Sequence, residues 1–117
     1  MATPGSVDSI PGKGNAEDHV SNSTWCARKA RTIVENVEQV VAVEMLLAAQ
    51  ALSLVADRSK DHPIGGGSRA AFKAIRETIE PALSGDRWYH HELAAILELA
   101  RSGSIAAAVE DAVGALE

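Results

Sequence analysis

The feature that most constrains the fold is a long run, Thr24 to Ala56, that contains neither proline nor glycine. Such a run predicts one long α-helix, because proline and glycine are the residues that most strongly interrupt helices. Apolar residues make up 46 % of the chain but aromatic residues only 3 %. A core of alanine, valine and leucine suits closely packed helices better than a sheet. The chain is therefore predicted to be all-α, with a long helix over about residues 24–56.

The two halves of this helix have different patterns. The second half, VVAVEMLLAAQALSLVA, is apolar on nearly every side, which is typical of a helix surrounded by other helices. A chain of 117 residues has few helices of its own, so the pattern favours partner helices. Glu44 and Gln50 lie inside this stretch and are expected to need polar partners, from this chain or from another subunit. The first half is amphipathic, with an apolar seam at alternating four- and three-residue steps: Cys26, Ala30, Ile33, Val37 and Val40.

Three shorter helices are expected after the loop SKDHPIGGGS. Ser68 and Ser104 can act as N-caps, because their side-chain oxygens can accept from free backbone N–H groups of a first turn. Pro81 ends the helix that follows Ser68, and Gly103 suits a left-handed C-cap. The three helices are predicted at about residues 68–80, 89–101 and 104–116.

Residues 1–20 are predicted to be an irregular segment that precedes a helical part, residues 21–117. Prolines and glycines interrupt the segment, and Ser21 or Ser23 can cap the long helix. Just before that helix, Glu17, Asp18 and His19 stand together. A helix N-terminus favours carboxylates, so these side chains fit either capping and loop anchoring or a functional site.

Charge and cysteine content limit the possible partners and compartments. The formal charge is 11 − 16 = −5, with the basic residues dispersed, which argues against nucleic acid as a partner. Cys26 is the single cysteine and cannot form an internal disulfide, so a reducing, cytoplasmic environment is expected. The N-terminus has no signal-peptide pattern, and Glu44 and Gln50 interrupt the longest apolar stretch, so no membrane span is expected.

Three further motifs are each better explained as structural features than as binding or catalytic sites. PGKGN lacks the spacing of a phosphate-binding loop and no apolar strand precedes it, which favours a plain turn. His90, His91 and Glu92 are adjacent, and neighbouring positions on a helix point about 100° apart, so a solvated helix start is favoured over a metal site. Cys26 is expected to be a small buried hydrophobe rather than a nucleophile.

Several segments together resemble one enzyme family. SVDSIP, NAEDHVS and ARKARTIVENVEQVVAVEMLLAAQAL are similar to the C-terminal part of the histidine ammonia-lyases and, more loosely, of the aromatic amino acid ammonia-lyases and aminomutases. The family pattern reads approximately SVDSIPTSANQEDHVSMG, followed by a long helix. The similarity continues through GSRAAFKAIRE, GDR and RSGSI, so it covers nearly the whole chain.

The resemblance implies a mostly helical bundle, usually a homotetramer, whose active sites combine residues from several subunits. Family members eliminate ammonia with a methylidene-imidazolone electrophile that forms from Ala-Ser-Gly. The 117 residues contain no Ala-Ser-Gly, and the single tyrosine, Tyr89, matches no catalytic tyrosine of the family. This chain is therefore expected to carry no such cofactor and to be inactive alone.

The resemblance also assigns two residues to a site. Glu17 matches the glutamate of the family motif NQED, which contacts the substrate side chain or assists proton transfer. Asn15 matches the asparagine and is expected to bind substrate. This chain differs from the family pattern at three places: Ala16 replaces the glutamine, which removes two donors and an acceptor, Asn22 replaces a methionine, and GKG replaces TSA.

Three functions remain open from the sequence. The first is a C-terminal segment or subunit of a histidine ammonia-lyase, active when assembled with an N-terminal lyase chain or a full-length paralogue in a homo- or hetero-oligomer. The second is a truncated lyase remnant without catalysis. The third is a helical interaction module that has kept the lyase bundle surface and binds or regulates a related lyase.

Overall fold

The structure, a computed structural model, describes residues 3–55 and 63–116. These residues confirm an all-α fold with one long and three shorter helices and contain no β-strand. The predicted helix end at Ala56 and the start of the loop, residues 59–62, lie outside the described residues. Two short 3-10 helices, Gly5–Asp8 and Lys13–Asn15, precede the α-helices. The α-helices are α1 (Ser23–Val55), α2 (Gly66–Thr78), α3 (His90–Arg101) and α4 (Ser104–Val113).

The packing divides the chain into two units, Met1–Val37 and Glu38–Glu117, and α1 contributes to both. The boundary predicted at residue 20 separates an irregular segment from a helical part. It is a different kind of boundary from this division by packing, and it stays a prediction.

In the first unit, the N-terminal segment packs on the first turns of α1. The amide of Asn22 donates to the carbonyl of Gly5 over 3.2 Å, and a Cβ added at Gly5 would lie 2.7 Å from Sγ of Cys26. The helix begins at Ser23, and the Cys26 N–H donates to the Asn22 carbonyl over 2.9 Å. The hydroxyl of Ser21, one of the two expected caps, donates to that of Ser23 over 3.5 Å.

In the second unit, a small aliphatic core joins all four α-helices. Ile96 of α3 is completely buried, with 0 % of its surface exposed. Every α-helix contributes residues to this core because each helix turns an apolar face inward. The buried residues are Ala42, Leu46 and Ala49 of α1, Ile75 of α2, Ile79 in the loop after α2, Ile96, and Ile105 of α4.

Two glycines of α2 allow α4 to approach closely. A Cβ added at Gly67 would lie 3.3 Å from Val109, and one added at Gly66 would lie 3.3 Å from Val113. The prediction of a cap at Ser68 is wrong, because α2 begins two residues earlier, at Gly66, with Gly65 as its N-cap. The glycines that the sequence suggested as loop residues are the surface on which α4 packs.

We expect Gly67→Leu to destabilise the second unit by about 1–3 kcal/mol, because a branched side chain would force α2 away from α4. Urea unfolding followed by helical circular dichroism measures the change. Gly65→Ala is the matched control, since nothing lies within 4 Å of a Cβ added there. Equal unfolding midpoints for Gly67→Leu and Gly65→Ala would show that this approach is not tight.

The loop after α2 is held by side chains of α1, α2 and the loop itself. Gln50 confirms the expectation of a polar partner within the chain: its amide donates to the Ala82 carbonyl over 2.9 Å and its carbonyl accepts from the Ala82 N–H over 3.0 Å. Arg87 forms an ion pair with Glu92, 2.7 Å long. Burial lowers the pKa of the Arg76 guanidinium, the positive charge of Arg87 lowers it further, and Glu92 raises it.

Many apolar side chains of α1 are exposed along one face of the helix. The pattern begun by Cys26 continues along the helix in the same four- and three-residue steps, and we name this line of residues the α1 seam. Cys26 is exposed, so the expectation of a buried thiol is wrong. Val40 and Leu47 are 67 % and 63 % exposed. The α1 seam comprises Cys26, Ala30, Ile33, Val37, Val40, Glu44, Leu47, Ala51 and Leu54, and every one is exposed.

By length and composition, α1 could also cross a membrane. This finding differs from the expectation of no span, because the C-terminal part of α1 is apolar enough despite its two charged residues, Glu38 and Glu44. A helix from the core of a helical bundle meets the same criteria, so the finding is weak evidence for a membrane segment.

Candidate functional site

The segment that contains the predicted site residues folds back on itself as a short loop. The Val20 N–H donates to the Ile10 carbonyl over 3.1 Å, and Pro11 and His19 form an isolated antiparallel bridge. The hydroxyl of Ser9 donates to the carbonyl of Val20. The two arms of the loop are thus joined near its base, and the NAEDHVS motif lies in a defined conformation.

Glu17 lies on the closing side of this loop. Its N–H donates to the Gly12 carbonyl over 3.4 Å, and the Gly12 N–H donates to the Asp18 carbonyl over the same distance. The Glu17 side chain is 62 % exposed, with Oε1 3.9 Å from Nζ of Lys13. The backbone of Glu17 is therefore held in the loop, and its carboxylate is largely open to solvent.

Asn15 lies at the tip of the loop in an unusual backbone conformation. Lys13, Gly14 and Asn15 have φ angles of 48°, 60° and 71°, so three consecutive residues are left-handed. Residues other than glycine adopt this region uncommonly, although asparagine tolerates it better than most. Backbone strain of this kind gathers at functional sites and tight turns. Asn15 and Glu17 lie in the same loop, and their role in a site stays a prediction.

An open depression lies beside the motif at the start of α1. It has a volume of about 400 Å³, and its lining residues include Ser23, Thr24 and Arg28. Neither Glu17 nor Asn15 lines it. The first unit by itself therefore holds the predicted site residues on an open loop rather than in a closed cavity.

The predicted solvated histidine pair lies elsewhere, at the start of α3. The rings of His90 and His91 are 5.5 Å apart and cross edge to face. Glu92 accepts from Arg87, so its carboxylate has a partner already. In residues 3–55 and 63–116, no group of three or more histidine, cysteine, aspartate or glutamate side chains is placed to hold a metal ion.

The sequence did not predict that Gly12 and Lys13 lie beside the Glu17 carboxylate, because its pattern at both residues favours a plain turn. A Cβ added at Gly12 would lie 2.8 Å from Oε2 of Glu17, so the carboxylate lies directly over this glycine. The spacing of Lys13 and Glu17, four residues apart with opposite charges, was the available signal.

Comparisons with known proteins agree with the resemblance in the sequence. The family model for aromatic amino acid lyases matches residues 1–77. The histidine ammonia-lyase of Symbiobacterium thermophilum is 48 % identical over 117 residues, and those of Gloeobacter violaceus and Natranaerobius thermophilus are 43 % and 40 % identical. Each alignment covers 100 % of this chain and 22 % of the relative, so the chain spans about a fifth of their length.

No solved structure matches the chain. The family match covers well over half of the chain, and the whole chain aligns with the relatives. The motif residues that the structure holds in the N-terminal loop lie within the matched range. The protein belongs to the aromatic amino acid lyase family.

Proposed function

We propose that this chain is the C-terminal segment or subunit of a histidine ammonia-lyase-like enzyme, which eliminates ammonia from L-histidine or another aromatic amino acid. The observation that carries the proposal is the alignment of the whole chain with histidine ammonia-lyases at up to 48 % identity. The loop that holds Glu17 in a fixed backbone conformation supports it.

Elimination breaks the bond between Cα and the amino nitrogen and removes a proton from Cβ. Glu17 would serve this reaction by accepting a hydrogen bond from the substrate side chain or by taking a proton, since a carboxylate can do either. Asn15 would add an amide beside it, with donors and an acceptor for a polar substrate group. Both roles come by resemblance, and both residues lie in a loop that solvent, and therefore a partner surface, can reach.

The electrophile would come from another part of the assembled enzyme, because the 117 residues contain no Ala-Ser-Gly. When bound, such a group makes ammonia a better leaving group. The residues of this chain fit a complementary role, since Glu17 is exposed and has the charge to orient a substrate. We therefore expect no elimination by this chain alone.

The α1 seam supports a partner made of helices. A run of apolar residues in four- and three-residue steps along one helix is the surface that packs against another helix. An N-terminal lyase chain or a full-length paralogue, in a homo- or hetero-oligomer, would bury it. Such coverage would also explain why α1 is apolar enough to resemble a membrane helix, and it agrees with a soluble, cytoplasmic enzyme of histidine breakdown.

Complementation tests the proposal. The chain is expressed together with the Symbiobacterium thermophilum enzyme truncated before the region that this chain matches, and urocanate formation from L-histidine is followed by its absorbance. We expect a complex on size-exclusion chromatography and urocanate only when both parts are present. The truncated enzyme with an empty vector is the control. Absence of both complex and product would contradict the proposal.

We also expect Val40→Glu combined with Leu47→Glu to weaken association with the truncated enzyme by about 100-fold or more, since burying unpaired charges in a helix interface costs several kcal/mol. Ala106→Glu with Ala107→Glu is the matched control, because both positions are exposed on α4. Association is measured by analytical ultracentrifugation. Equal binding by the two double variants would show that the α1 seam is not the interface.

The alternative is a chain without catalysis, either a truncated lyase remnant or a helical interaction module. The alanine at position 16, where the family pattern has glutamine, favours it. A module would change the activity of a full-length histidine ammonia-lyase on mixing, and Glu17→Gln would change it equally. A remnant would bind neither the truncated enzyme nor the full-length enzyme.

A further inference from the structure

Gly12 and Lys13 are the residues that approach the Glu17 side chain across the loop. Gly12 has φ and ψ of −71° and 162°, a conformation open to any residue, so backbone freedom does not explain a glycine here. Space does explain it. A Cβ at this position would lie 2.8 Å from Oε2 and 3.4 Å from Cβ of Glu17. A Cβ at residue 12 would therefore push the end of the Glu17 side chain away from its place over the loop.

Lys13 supplies a cation on the same side of the loop. Its Nζ lies 3.9 Å from Oε1 of Glu17, and the two side chains are 79 % and 62 % exposed. Lys13 is the first of the three left-handed residues, a conformation that costs free energy for any residue with a Cβ. The Ala16 N–H donates to the Lys13 carbonyl over 3.2 Å and closes this turn.

The family pattern has threonine and serine at these two positions. A threonine at position 12 would occupy the space into which the Glu17 carboxylate now folds, and a serine at position 13 would bring no charge. This chain therefore has open space and a cation beside Glu17 that the family pattern lacks.

We propose that Gly12 and Lys13 are positioning residues that set the place and the local charge of the Glu17 carboxylate, and so tune which substrate side chains it accepts. This inference rests on the proposed function of Glu17. A free carboxylate attracts a cationic imidazolium, and a lysine nitrogen 3.9 Å away offsets part of that attraction. The pair therefore shifts preference away from a cationic side chain and towards a neutral ring that donates an N–H or O–H.

The first test needs no enzyme activity. A carbodiimide joins carboxylates to amines that touch, so it should form an amide between Lys13 and Glu17 in the isolated chain, detected by peptide mass spectrometry as loss of one water. Gly12→Ala is expected to lower the yield of this cross-link severalfold by displacing the carboxylate. Gly65→Ala is the control, because its φ of −58° suits any residue and nothing lies within 4 Å of a Cβ added there. Equal yields for Gly12→Ala and the unchanged chain would overturn the positioning role.

The second test measures specificity in the complemented enzyme. Lys13→Met removes the cation and keeps the length of the side chain. We expect it to lower KM for L-histidine about threefold at pH 6, where much of the imidazole is protonated, and to change KM little at pH 8. Asp18 and His19, the other ionisable groups of the loop, are present in both proteins, so the comparison isolates Lys13.

The two tests separate this inference from the function on which it rests. An equal KM ratio at both pH values, in an active complex, would overturn the tuning role while leaving the proposed function intact. An inactive complex would remove the proposed function and the tuning role with it, and the cross-link would still decide whether Gly12 positions the carboxylate.

Discussion

Urocanate formation by the complemented enzyme is expected to fall about 100-fold or more when Glu17 is replaced by glutamine, since a positioned group that transfers a proton contributes about 10²–10⁴-fold. Glutamine has nearly the same size, but it carries no negative charge and cannot take a proton. The backbone hydrogen bond from residue 17 to Gly12 remains, so the loop keeps its fold. The measurement is kcat and KM for L-histidine by urocanate absorbance.

Glu77→Gln is the control for this experiment. Glu77 is exposed on α2, 3.7 Å from Lys73, and lies in the other unit of the chain. We expect kcat within about twofold of the unchanged complex, because exposed ion pairs contribute little. A complex that carries Glu17→Gln and keeps full activity would show that this carboxylate takes no part in the reaction.

The second large effect is expected at the core. Ile96→Ala should destabilise the second unit by about 2–5 kcal/mol, because it removes three carbon atoms from the completely buried centre and leaves a cavity that rigid helices fill only in part. Domains of this size have about 5–15 kcal/mol of stability in total, so much of the folded population would be lost at moderate urea concentrations.

Ile33→Ala removes the same atoms from an exposed position of the α1 seam, where 42 % of the side chain faces solvent. We expect it to change the free energy of unfolding of the isolated chain by less than about 1 kcal/mol. Urea unfolding of both variants by circular dichroism decides the matter. Similar losses at the two positions would mean that Ile96 is not the centre of the core.

The helices were predictable because their signals are local. Continuous residues without proline or glycine specify α1, and Gly103 has the left-handed conformation expected of it, with φ at 75°. The start of α2 was not predictable, because Gly66 and Gly67 are needed for contact with Val109 and Val113, and no local pattern announces a contact with a helix that comes forty residues later.

The candidate site divides in the same way. The motif points to Glu17 and Asn15. The sequence also predicts that Gln50 has a polar partner, but it could not show which one, because the partner is a loop carbonyl 32 residues away. The left-handed conformation of Lys13 could not be expected, because lysine has no preference for it. The exposure of α1 could not be predicted from its apolar pattern either. The pattern shows which face of the helix is suited to burial, and it does not show whether other residues of this chain bury that face.

Glu44 gives the α1 seam a further property. It stands in the middle of the line, between Val40 and Leu47, so any helix that covers this face must bring a donor or a cation to that level or leave a carboxylate without water. A parallel, aligned copy of α1 would set two Glu44 side chains against each other and is disfavoured for that reason. Glu44 thus makes binding to this apolar surface selective. Wholly apolar helices would leave its carboxylate unpaired, whereas a helix with a cation or a hydrogen-bond donor at that level would pair with it.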